Sequence, residues 1–234
     1  PIYFGNRIIN QTNRLIRKNL PDTKKICILI DKNIPNLLSK KLTKSLKKYN
    51  PKILKLSVNE KIKSFKVANK IINFLLKENY NRSDCVIALG GGILGDLAAF
   101  IASITKRGIK FVNIPTTLLA QSDASIGGKT AVNSHQGKNL IGTFYQPEFV
   151  LIDTSSLNSL PRRELICGYG EILKHALISD KKFFYWLSKN AKKIINKKDN
   201  NLLKTAIMKS CKIKSKIVSE DEREKNLRMI LNFG

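Results

Sequence analysis

Residues 85–108 read CVIALGGGILGDLAAFIASITKRG, an apolar run followed by three consecutive glycines and, at position 96, an aspartate. The apolar run predicts a buried strand, and the residues after the glycines predict a helix. A helix N-terminus carries unpaired N–H groups and a partial positive charge, so this turn is suited to an anion such as a phosphate. Glycine lets the main chain approach the anion closely and adopt positive φ. The spacing is not Gly-x-Gly-x-x-Gly, so a tight structural turn remains the alternative interpretation.

Strand-like and helix-like segments alternate on either side of this stretch. Short apolar runs rich in β-forming residues stand at 25–30, 52–57, 85–90, 110–115 and 149–154. Apolar residues spaced three and four apart predict helices over 35–48 and 64–79. A strand followed by a helix, repeated along the chain, indicates an α/β fold with a parallel sheet. We expect Gly95 to let the helix that follows the glycines pack closely against a neighbour.

The second part of the chain has a different pattern. From about residue 162 onward the apolar spacing is helical, without strand-like runs, and it ends in a long amphipathic stretch over 200–218. We therefore place a boundary near 155–161 and predict a helical second part.

The composition narrows the class of protein. Among 234 residues, four cysteines lie far apart without a Cys-x-x-Cys pair, which argues against a zinc knuckle or a disulfide scaffold and favours reduced, mostly buried thiols. No long apolar run or secretion leader is visible, so we expect no membrane partner and a cytoplasmic location. The net charge of +26 raises nucleic acid as a partner, but the lysines are dispersed, which favours a compositional bias and no nucleic-acid partner.

A polar segment follows the strand-like run at 110–115. It contains several hydroxyls, paired glycines, Asp123, Lys129, Lys138 and Asn139, and it predicts a long irregular loop. Ligands bind at the carboxyl ends of parallel strands, and lysines beside hydroxyls suit a phosphorylated or carboxylated substrate. A purely structural loop is the alternative.

The segment 167–179, CGYGEILKHALIS, places Glu171, Lys174 and His175 on one helix face. A carboxylate beside an imidazole can hold a divalent metal, and the lysine can hold an anion. A charged, solvated helix face is the alternative. Gly168 and Gly170 favour a functional site, because two glycines weaken a helix unless something approaches it closely.

Taken in order, these motifs resemble the 3-dehydroquinate synthase family. The resemblance rests on ALGGGILGDLAAFIAS, RGIKFVNIPTTLLAQSDASIGGKTAVN, GKNLIGTFYQP, LPRRELICGYGEILKHALI and DEREKNLRMILNFG, and it covers almost the whole chain. It implies a Rossmann-like, parallel-sheet NAD-binding domain over 1–158, followed by an all-helical metal- and substrate-binding domain that begins at 159 and is truncated at 234. It also implies a homodimer.

The resemblance further implies a reaction, the conversion of 3-deoxy-D-arabino-heptulosonate 7-phosphate into 3-dehydroquinate and phosphate. In that family NAD takes a hydride from the substrate and later returns it, phosphate leaves by elimination, and the ring opens and closes again. A divalent metal, zinc or cobalt, acts as Lewis acid. The small-molecule partner is thus a phosphorylated sugar acid.

The family's functional residues carry over onto this sequence by matching motif. The NAD contacts fall on Asp31, Asn33, Glu60, Lys63, Gly91, Gly92, Ile93, Leu94, Gly95, Asp96, Thr116, Thr117, Lys129, Lys138, Ser156, Leu157, Asn158 and Ser159. The substrate and catalytic positions fall on Arg107, Asp123, Lys129, Asn139, Lys174, Lys214, Arg228 and Asn232. Glu171 matches a metal ligand.

The sequence departs from the family pattern at three places. The segment VNEKIK keeps only the acid and the lysine of the family's Asp-Gly-Glu-x-x-Lys. His175 stands where the family often has tyrosine, so we expect it to support the site rather than to bind metal, and His135 is expected at the surface. The family's two histidine ligands follow LNFG, so these 234 residues are expected to be a fragment with an incomplete metal site and no activity.

Other functions remain open on the residues alone. A related sugar-phosphate cyclase or a metal-dependent polyol dehydrogenase has the same architecture, although a polyol dehydrogenase does not need a cluster of cations for its substrate. A basic nucleic-acid-binding protein is the alternative from another class.

Overall fold

The computed structural model describes residues 1–196 and 199–233. A six-stranded sheet has the order β1-β8-β5-β4-β2-β3, and every neighbouring pair is parallel. The strands are β1 (Ile2–Gly5), β2 (Ile26–Asp31), β3 (Lys52–Leu56), β4 (Cys85–Gly90), β5 (Lys110–Pro115) and β8 (Phe149–Asp153), with β6 (Val132–Ser134) and β7 (Gly137–Ile141) in a separate antiparallel pair. The helices are α1 (Thr12–Asn19), α2 (Asn36–Ser45), α3 (Phe65–Lys77), α4 (Gly92–Ile104), α5 (Arg162–Ser179), α6 (Lys181–Ile195) and α7 (Asn200–Glu220).

The central strands are apolar on both faces because helices cover both. Successive side chains of a strand point to opposite faces. Leu29 and Ala88 pack in one core with residues of α3 and α4, whereas Ile28 and Ile87 pack in a second core with residues of α1 and α2. This double burial explains why β2 and β4 read as continuous apolar runs.

The strand order reverses between β2 and β4. From β2 the chain proceeds to β3 at one edge, and it then returns to β4 on the other side and continues to β5. In open parallel sheets the crevice at such a reversal, beyond the carboxyl ends of the strands, is where ligands bind. Here those ends are Asp31 and Gly90.

The strand and helix predictions of the first part are confirmed, but β1, α1 and the elements between β5 and β8 were missed. The edge strand β1 is only four residues long, too short to show a pattern. The segment after β5 was predicted to be a long irregular loop. This prediction is wrong in part, because the segment contains a π-helical turn at Ala120–Ala124 and the β6–β7 hairpin. Hydrogen bonding of the main chain, such as Ser125 N donating to Ala120 O at 3.1 Å, forms this turn without an apolar period in the sequence.

The chain divides into two compact units. The first contains Pro1–Thr116 and Gly128–Ser155, and the second contains Thr117–Gly127 and the described residues from Ser156 onward. The second unit is helical, as predicted. The domain boundary after residue 158 stays a prediction. No pattern in the sequence indicated that Thr117–Gly127 would group with the later helices.

No helix within 1–196 and 199–233 is long and apolar enough to cross a membrane.

Candidate active site

The glycine turn joins β4 to the 13-residue helix α4 in the first unit. Gly91 precedes the helix with φ −76° and ψ −175°, and no side chain of the described residues caps the helix N-terminus. Among the described residues the glycines with positive φ are Gly108, Gly127 and Gly128, so this turn does not use the left-handed conformation that glycine allows. The uncapped N–H groups at a partly exposed turn suit an anion. Gly95 packs closely as predicted, since a Cβ there would lie 3.2 Å from Asn113 Nδ2.

Beside this turn lies a buried lysine. Lys63 Nζ donates to Asp96 Oδ2 at 2.6 Å and also to Asn139 Oδ1, and its side chain is 5% exposed. Burying an ammonium group is costly unless its N–H groups have hydrogen-bond partners, so Asp96 and Asn139 are both needed to stabilise Lys63 in this position. The structure therefore brings together three residues that the resemblance assigned to NAD or substrate.

A residue that the sequence analysis missed extends this network. Asn133 accepts a hydrogen bond from Asn139 N at 2.9 Å and donates from Nδ2 to Glu60 Oε1 at 2.7 Å. Its own N–H donates to Lys63 O at 2.7 Å. Asn133 thus ties the β6–β7 hairpin to the segment that carries Glu60 and Lys63.

The remaining assigned residues of the first unit lie in different places. Asp31 Oδ1 accepts from Asn33 N at 2.9 Å in a local turn after β2, and Thr116 N donates to Gly90 O at 2.9 Å beside the glycine turn. Lys129 and Lys138 are exposed. Arg107 follows α4 and precedes β5, so it lies at the sheet edge opposite to the carboxyl ends of the strands. Its role in substrate binding stays a prediction.

In the second unit the π-helical turn presents Asp123 to a lysine of α7. Lys214 Nζ lies 2.6 Å from Asp123 Oδ1 and donates to Asp123 O at 2.8 Å. Burial alone would raise the pKa of Asp123, but the His175 ring and the Lys214 charge outweigh it and hold the pKa below its ordinary range. Burial lowers the pKa of Lys214, and the Asp123 carboxylate opposes this effect. Asp123 is therefore ionised at neutral pH.

Helix α5 contributes the predicted trio on one face. Lys174 Nζ lies 2.6 Å from Glu171 Oε1 and donates to Leu231 O at 2.8 Å. His175 is fully buried, and its Nε2 lies 3.3 Å from Asp123 Oδ1 and 3.5 Å from Glu171 Oε1. The alternative of a solvated helix face is wrong, since these side chains face Asp123 and the residues around it.

These contacts change the interpretation of the metal site. Asp123, Glu171 and His175 each offer one ligand atom, and the three atoms lie within 4.8 Å of one another. Asp123 and His175 thus lie beside Glu171 as further potential ligands, and the assignment of Glu171 to the metal and of His175 to a supporting role stays a prediction. Folding brings Asp123 to α5 from far away in sequence, so the helical spacing of Glu171 and His175 could not reveal the group.

The other assigned residues of the second unit occupy distinct environments. Arg228 is 1% exposed, its Nη1 donates to Glu222 O, and an added Cβ at Gly127 would collide with its guanidinium. Asn232 is exposed and donates to Glu224 Oε1 at 3.2 Å, so the structure does not bring it to the Asp123 group.

Thr117 and Ser156, both assigned to NAD, contact the π-helical turn through their side chains. Thr117 Oγ1 accepts from Ala120 N at 3.2 Å, and Ser156 Oγ accepts from Gln121 Nε2 at 3.0 Å. Leu157 is buried, whereas Asn158 and Ser159 are exposed in the 3-10 turn Thr154–Ser159. Their contact with a cofactor stays a prediction.

Ser210 is a second residue that the sequence analysis missed. Its Oγ lies 2.7 Å from His175 Nδ1 and donates to Ser122 O at 3.4 Å. The sequence could have indicated Ser210, because this polar residue lies in the buried stripe of α7 between Ile207 and Lys214. A serine in an otherwise apolar stripe indicates a polar partner inside the core.

Comparisons with known proteins identify the family of this chain. A family model described as 3-dehydroquinate synthase N-terminal matches residues 53–167, and one described as 3-dehydroquinate synthase C-terminal matches residues 168–234. The 3-dehydroquinate synthase of Pelagibacter ubique is 55% identical over 233 residues, which cover 100% of this chain and 63% of the relative. The chain thus spans less than two thirds of that protein.

Solved structures of sugar-phosphate cyclases have the same fold. A 2-deoxy-scyllo-inosose synthase complexed with carbaglucose-6-phosphate, NAD+ and Co2+ has a TM-score of 0.87 and 28% identity, covering 99% of this chain and 63% of that one. The 2-epi-5-epi-valiolone synthase of Streptomyces hygroscopicus with NAD+ and Zn2+ bound has a TM-score of 0.88 and 26% identity, covering 100% of this chain and 65% of that one.

Proposed function

We propose that this chain, which belongs to the 3-dehydroquinate synthase family, takes part in converting 3-deoxy-D-arabino-heptulosonate 7-phosphate into 3-dehydroquinate and phosphate. One observation of the structure carries this proposal. Two carboxylates and a buried histidine, suited to a metal, lie in the same unit as Lys174 and Lys214, which are suited to an anionic substrate. An enzyme for neutral alcohols has no need of these cations.

We propose that NAD binds at the β4–α4 turn. The uncapped start of α4 offers N–H groups to the pyrophosphate, and the glycines allow the main chain to approach it. Lys63 and Asn139 fix Asp96 and the hairpin around this turn. Support also comes from the 2-epi-5-epi-valiolone synthase, whose structure has NAD+ bound and whose fold covers the whole of this chain.

The donor set of the second unit fits a divalent metal such as zinc or cobalt. Asp123 is held ionised, Glu171 supplies a second carboxylate, and the buried His175 Nε2 lies within 3.5 Å of an oxygen of each. Oxygen and imidazole ligands are those that such metals accept. When bound there, the metal supplies Lewis acidity toward a substrate oxygen, and NAD supplies reversible hydride transfer.

The chain's own residues have the task of holding the substrate. Lys174 and Lys214 are fixed by carboxylates and by main-chain oxygens, so their ammonium groups need little reordering when an anion arrives. We propose that these two lysines, with the buried Arg228, bind the carboxylate and phosphate of the sugar acid.

The proposal is tested by measuring phosphate release in the protein made from its complete reading frame, with NAD and Zn2+ present. We expect release from 3-deoxy-D-arabino-heptulosonate 7-phosphate and none from a hexose 6-phosphate, and no NADH from glycerol. The second candidate is a related sugar-phosphate cyclase, because the chain is 28% identical to 2-deoxy-scyllo-inosose synthase. Such an enzyme would release phosphate from the hexose 6-phosphate and not from the heptulosonate phosphate. Accumulation of NADH with glycerol would instead indicate a polyol dehydrogenase.

Lys214 gives a sharper test within the same assay. Replacing Lys214 by Met removes one substrate-binding cation, and we expect phosphate release to fall by about two orders of magnitude. Lys212→Met is the matched control, because Lys212 is exposed on the same helix. Equal activity of the two variants would contradict the assignment of Lys214.

A further inference from the structure

The β6–β7 hairpin is irregular at a residue that the resemblance assigns to the substrate. The register of the two strands leaves Asn133 alone opposite residues 138–140 of β7. Asn139, in the middle of that stretch, has φ 59°, in the left-handed region. Bulges often redirect a side chain beside an active site, and a left-handed residue other than glycine persists only where its surroundings hold it. Contacts within the first unit must therefore hold Asn139 in this conformation.

The side chain of Asn133 supplies one of these contacts. Its Oδ1 accepts a hydrogen bond from Asn139 N at 2.9 Å. Lys63 supplies another, since its Nζ donates to Asn139 Oδ1. Because the oxygen of the Asn139 amide faces this buried ammonium, the NH2 group is the end of the amide that can donate to a ligand. Asn133 thus holds the main chain of Asn139, and Lys63 fixes the orientation of its side chain.

The same asparagine also contacts the segment that the resemblance assigns to NAD. Asn133 Nδ2 donates to Glu60 Oε1 at 2.7 Å, and Asn133 N donates to Lys63 O at 2.7 Å. A hydrogen bond to a carboxylate is stronger than one between two neutral groups. Both ends of one amide are therefore engaged, one by a residue assigned to NAD and the other by a residue assigned to the substrate.

We propose that Asn133 is a positioning residue that links the NAD-binding segment of the first unit to Asn139. When the Glu60 carboxylate is restrained by bound NAD, the amide of Asn133 is restrained with it, and Asn139 is held more firmly for the substrate. This inference rests on the proposed function, because the roles of Glu60 and Asn139 belong to it. It goes beyond the residues carried over from the family, which do not include Asn133. Such a link is reciprocal, so the substrate strengthens NAD binding by the same factor as NAD strengthens substrate binding.

A purely structural role for Asn133 makes a different prediction. In that case its hydrogen bonds only stabilise the hairpin, and their loss loosens Asn139 by the same amount with and without NAD. A positioning role instead makes the order of Asn139 depend on whether Glu60 is held by the cofactor. Measurement of Asn139 with and without NAD therefore separates the two roles.

Hydrogen exchange of the Asn139 amide, followed by nuclear magnetic resonance, tests the link without turnover. In the 15N-labelled protein made from its complete reading frame, we expect saturating NAD to slow this exchange by about tenfold. In Asn133→Leu, which has a similar size but no amide, NAD should leave the exchange unchanged. Gln136→Leu is the matched control, because Gln136 is exposed in the turn of the same hairpin, and it should respond to NAD as the unmodified protein does. An unmodified protein that does not respond, or an equal response in Asn133→Leu, would overturn the proposal.

Calorimetric titration with NAD tests whether Asn133 acts through Glu60. We expect Asn133→Leu and Glu60→Met each to weaken NAD binding by about tenfold, the usual scale for a hydrogen bond to a charged group. The double variant should bind NAD no more weakly than Glu60→Met alone, because the two residues then act as one unit. Losses that multiply in the double variant would refute the positioning role. Circular dichroism shows whether each variant is folded, and Asn133→Ala takes the place of Asn133→Leu should the latter not fold.

Failure of this inference and failure of the proposed function are distinguishable. Phosphate release from the heptulosonate phosphate, with an Asn139 amide that does not respond to NAD, would leave the function standing and remove the role of Asn133. A response to NAD that depends on Asn133, without phosphate release, would support the link and contradict the function.

Discussion

Lys63 illustrates how single residues of the first unit depend on one another. Its ammonium is removed from water and is stabilised by the Asp96 carboxylate and the Asn139 amide oxygen. Asn139 itself has φ 59°, a left-handed conformation that asparagine tolerates better than most residues. The contact between Lys63 and Asn139 spans 76 positions, so no local pattern in the sequence could indicate it.

The pairing of Lys63 leads to a stability prediction. Lys63→Met keeps the side-chain volume but leaves Asp96 without this ammonium, and we expect a loss of about 2 kcal/mol in the free energy of unfolding. Urea titration measures it. Lys61→Met is the control, because Lys61 is exposed two positions away, and its effect should stay within about 0.5 kcal/mol. A loss no larger for Lys63 than for Lys61 would show that the buried contacts contribute nothing.

At the scale of elements, helix α5 contains two glycines with opposite surroundings. A Cβ at Gly168 would lie 2.6 Å from both Leu118 Cβ and Leu119 N, whereas a Cβ at Gly170 would meet no neighbouring atom of residues 1–196 and 199–233 within 4 Å. Gly168 therefore allows the helix to approach the residues just before the π-helical turn that presents Asp123. A close approach was predicted for both glycines, and of the two the structure shows it at Gly168.

This difference predicts effects of opposite sign. Gly168→Ala inserts a methyl group against main chain that cannot rotate away, and it should destabilise the chain by about 1 to 3 kcal/mol. Gly170→Ala should stabilise it by up to about 1 kcal/mol, because alanine is the better helix former and space is open. Urea unfolding of both variants measures the two effects. A stabilising Gly168→Ala would contradict the close approach.

The sequence predicted long elements better than short ones. The strands at 85–90 and 110–115 have the predicted bounds, because burial on both faces gives uninterrupted apolar runs. The hairpin β6–β7 and the π-helical turn left no periodic pattern, since the turn and each strand of the hairpin are at most five residues long. The same limit applies to the site: helical spacing placed Glu171 beside His175, but only folding adds Asp123 to them.

At the scale of the whole molecule, the burial of the four cysteines indicates how tightly the interior of each unit is packed. Cys27, Cys85 and Cys211 are buried and Cys167 is exposed, so the expectation of mostly buried, unpaired thiols is confirmed. Burial raises the pKa of Cys27 and of Cys211 to about 12 and also raises the pKa of Cys85. Protonated, buried thiols react slowly with alkylating reagents.

The different burial of the four thiols predicts how many of them react in the native chain. At pH 8 the native chain should react rapidly with one equivalent of maleimide, at Cys167, and with four equivalents after denaturation in guanidinium chloride. Peptide mapping identifies the labelled residue. Rapid labelling of Cys27 or Cys85 would show that the cores beside the sheet are open, and rapid labelling of Cys211 would show the same for the second unit.

Following the C5 hydrogen of the substrate tests most directly the central claim that the protein catalyses the 3-dehydroquinate synthase reaction. The proposed reaction removes a hydride from the substrate and returns it, so NAD is regenerated in each turnover. The protein made from its complete reading frame, given heptulosonate phosphate deuterated at C5, should yield 3-dehydroquinate that retains the deuterium, with one phosphate released per turnover and no accumulation of reduced NAD. Deuterium that collects in reduced NAD, with no phosphate released, would contradict the account and indicate a dehydrogenase.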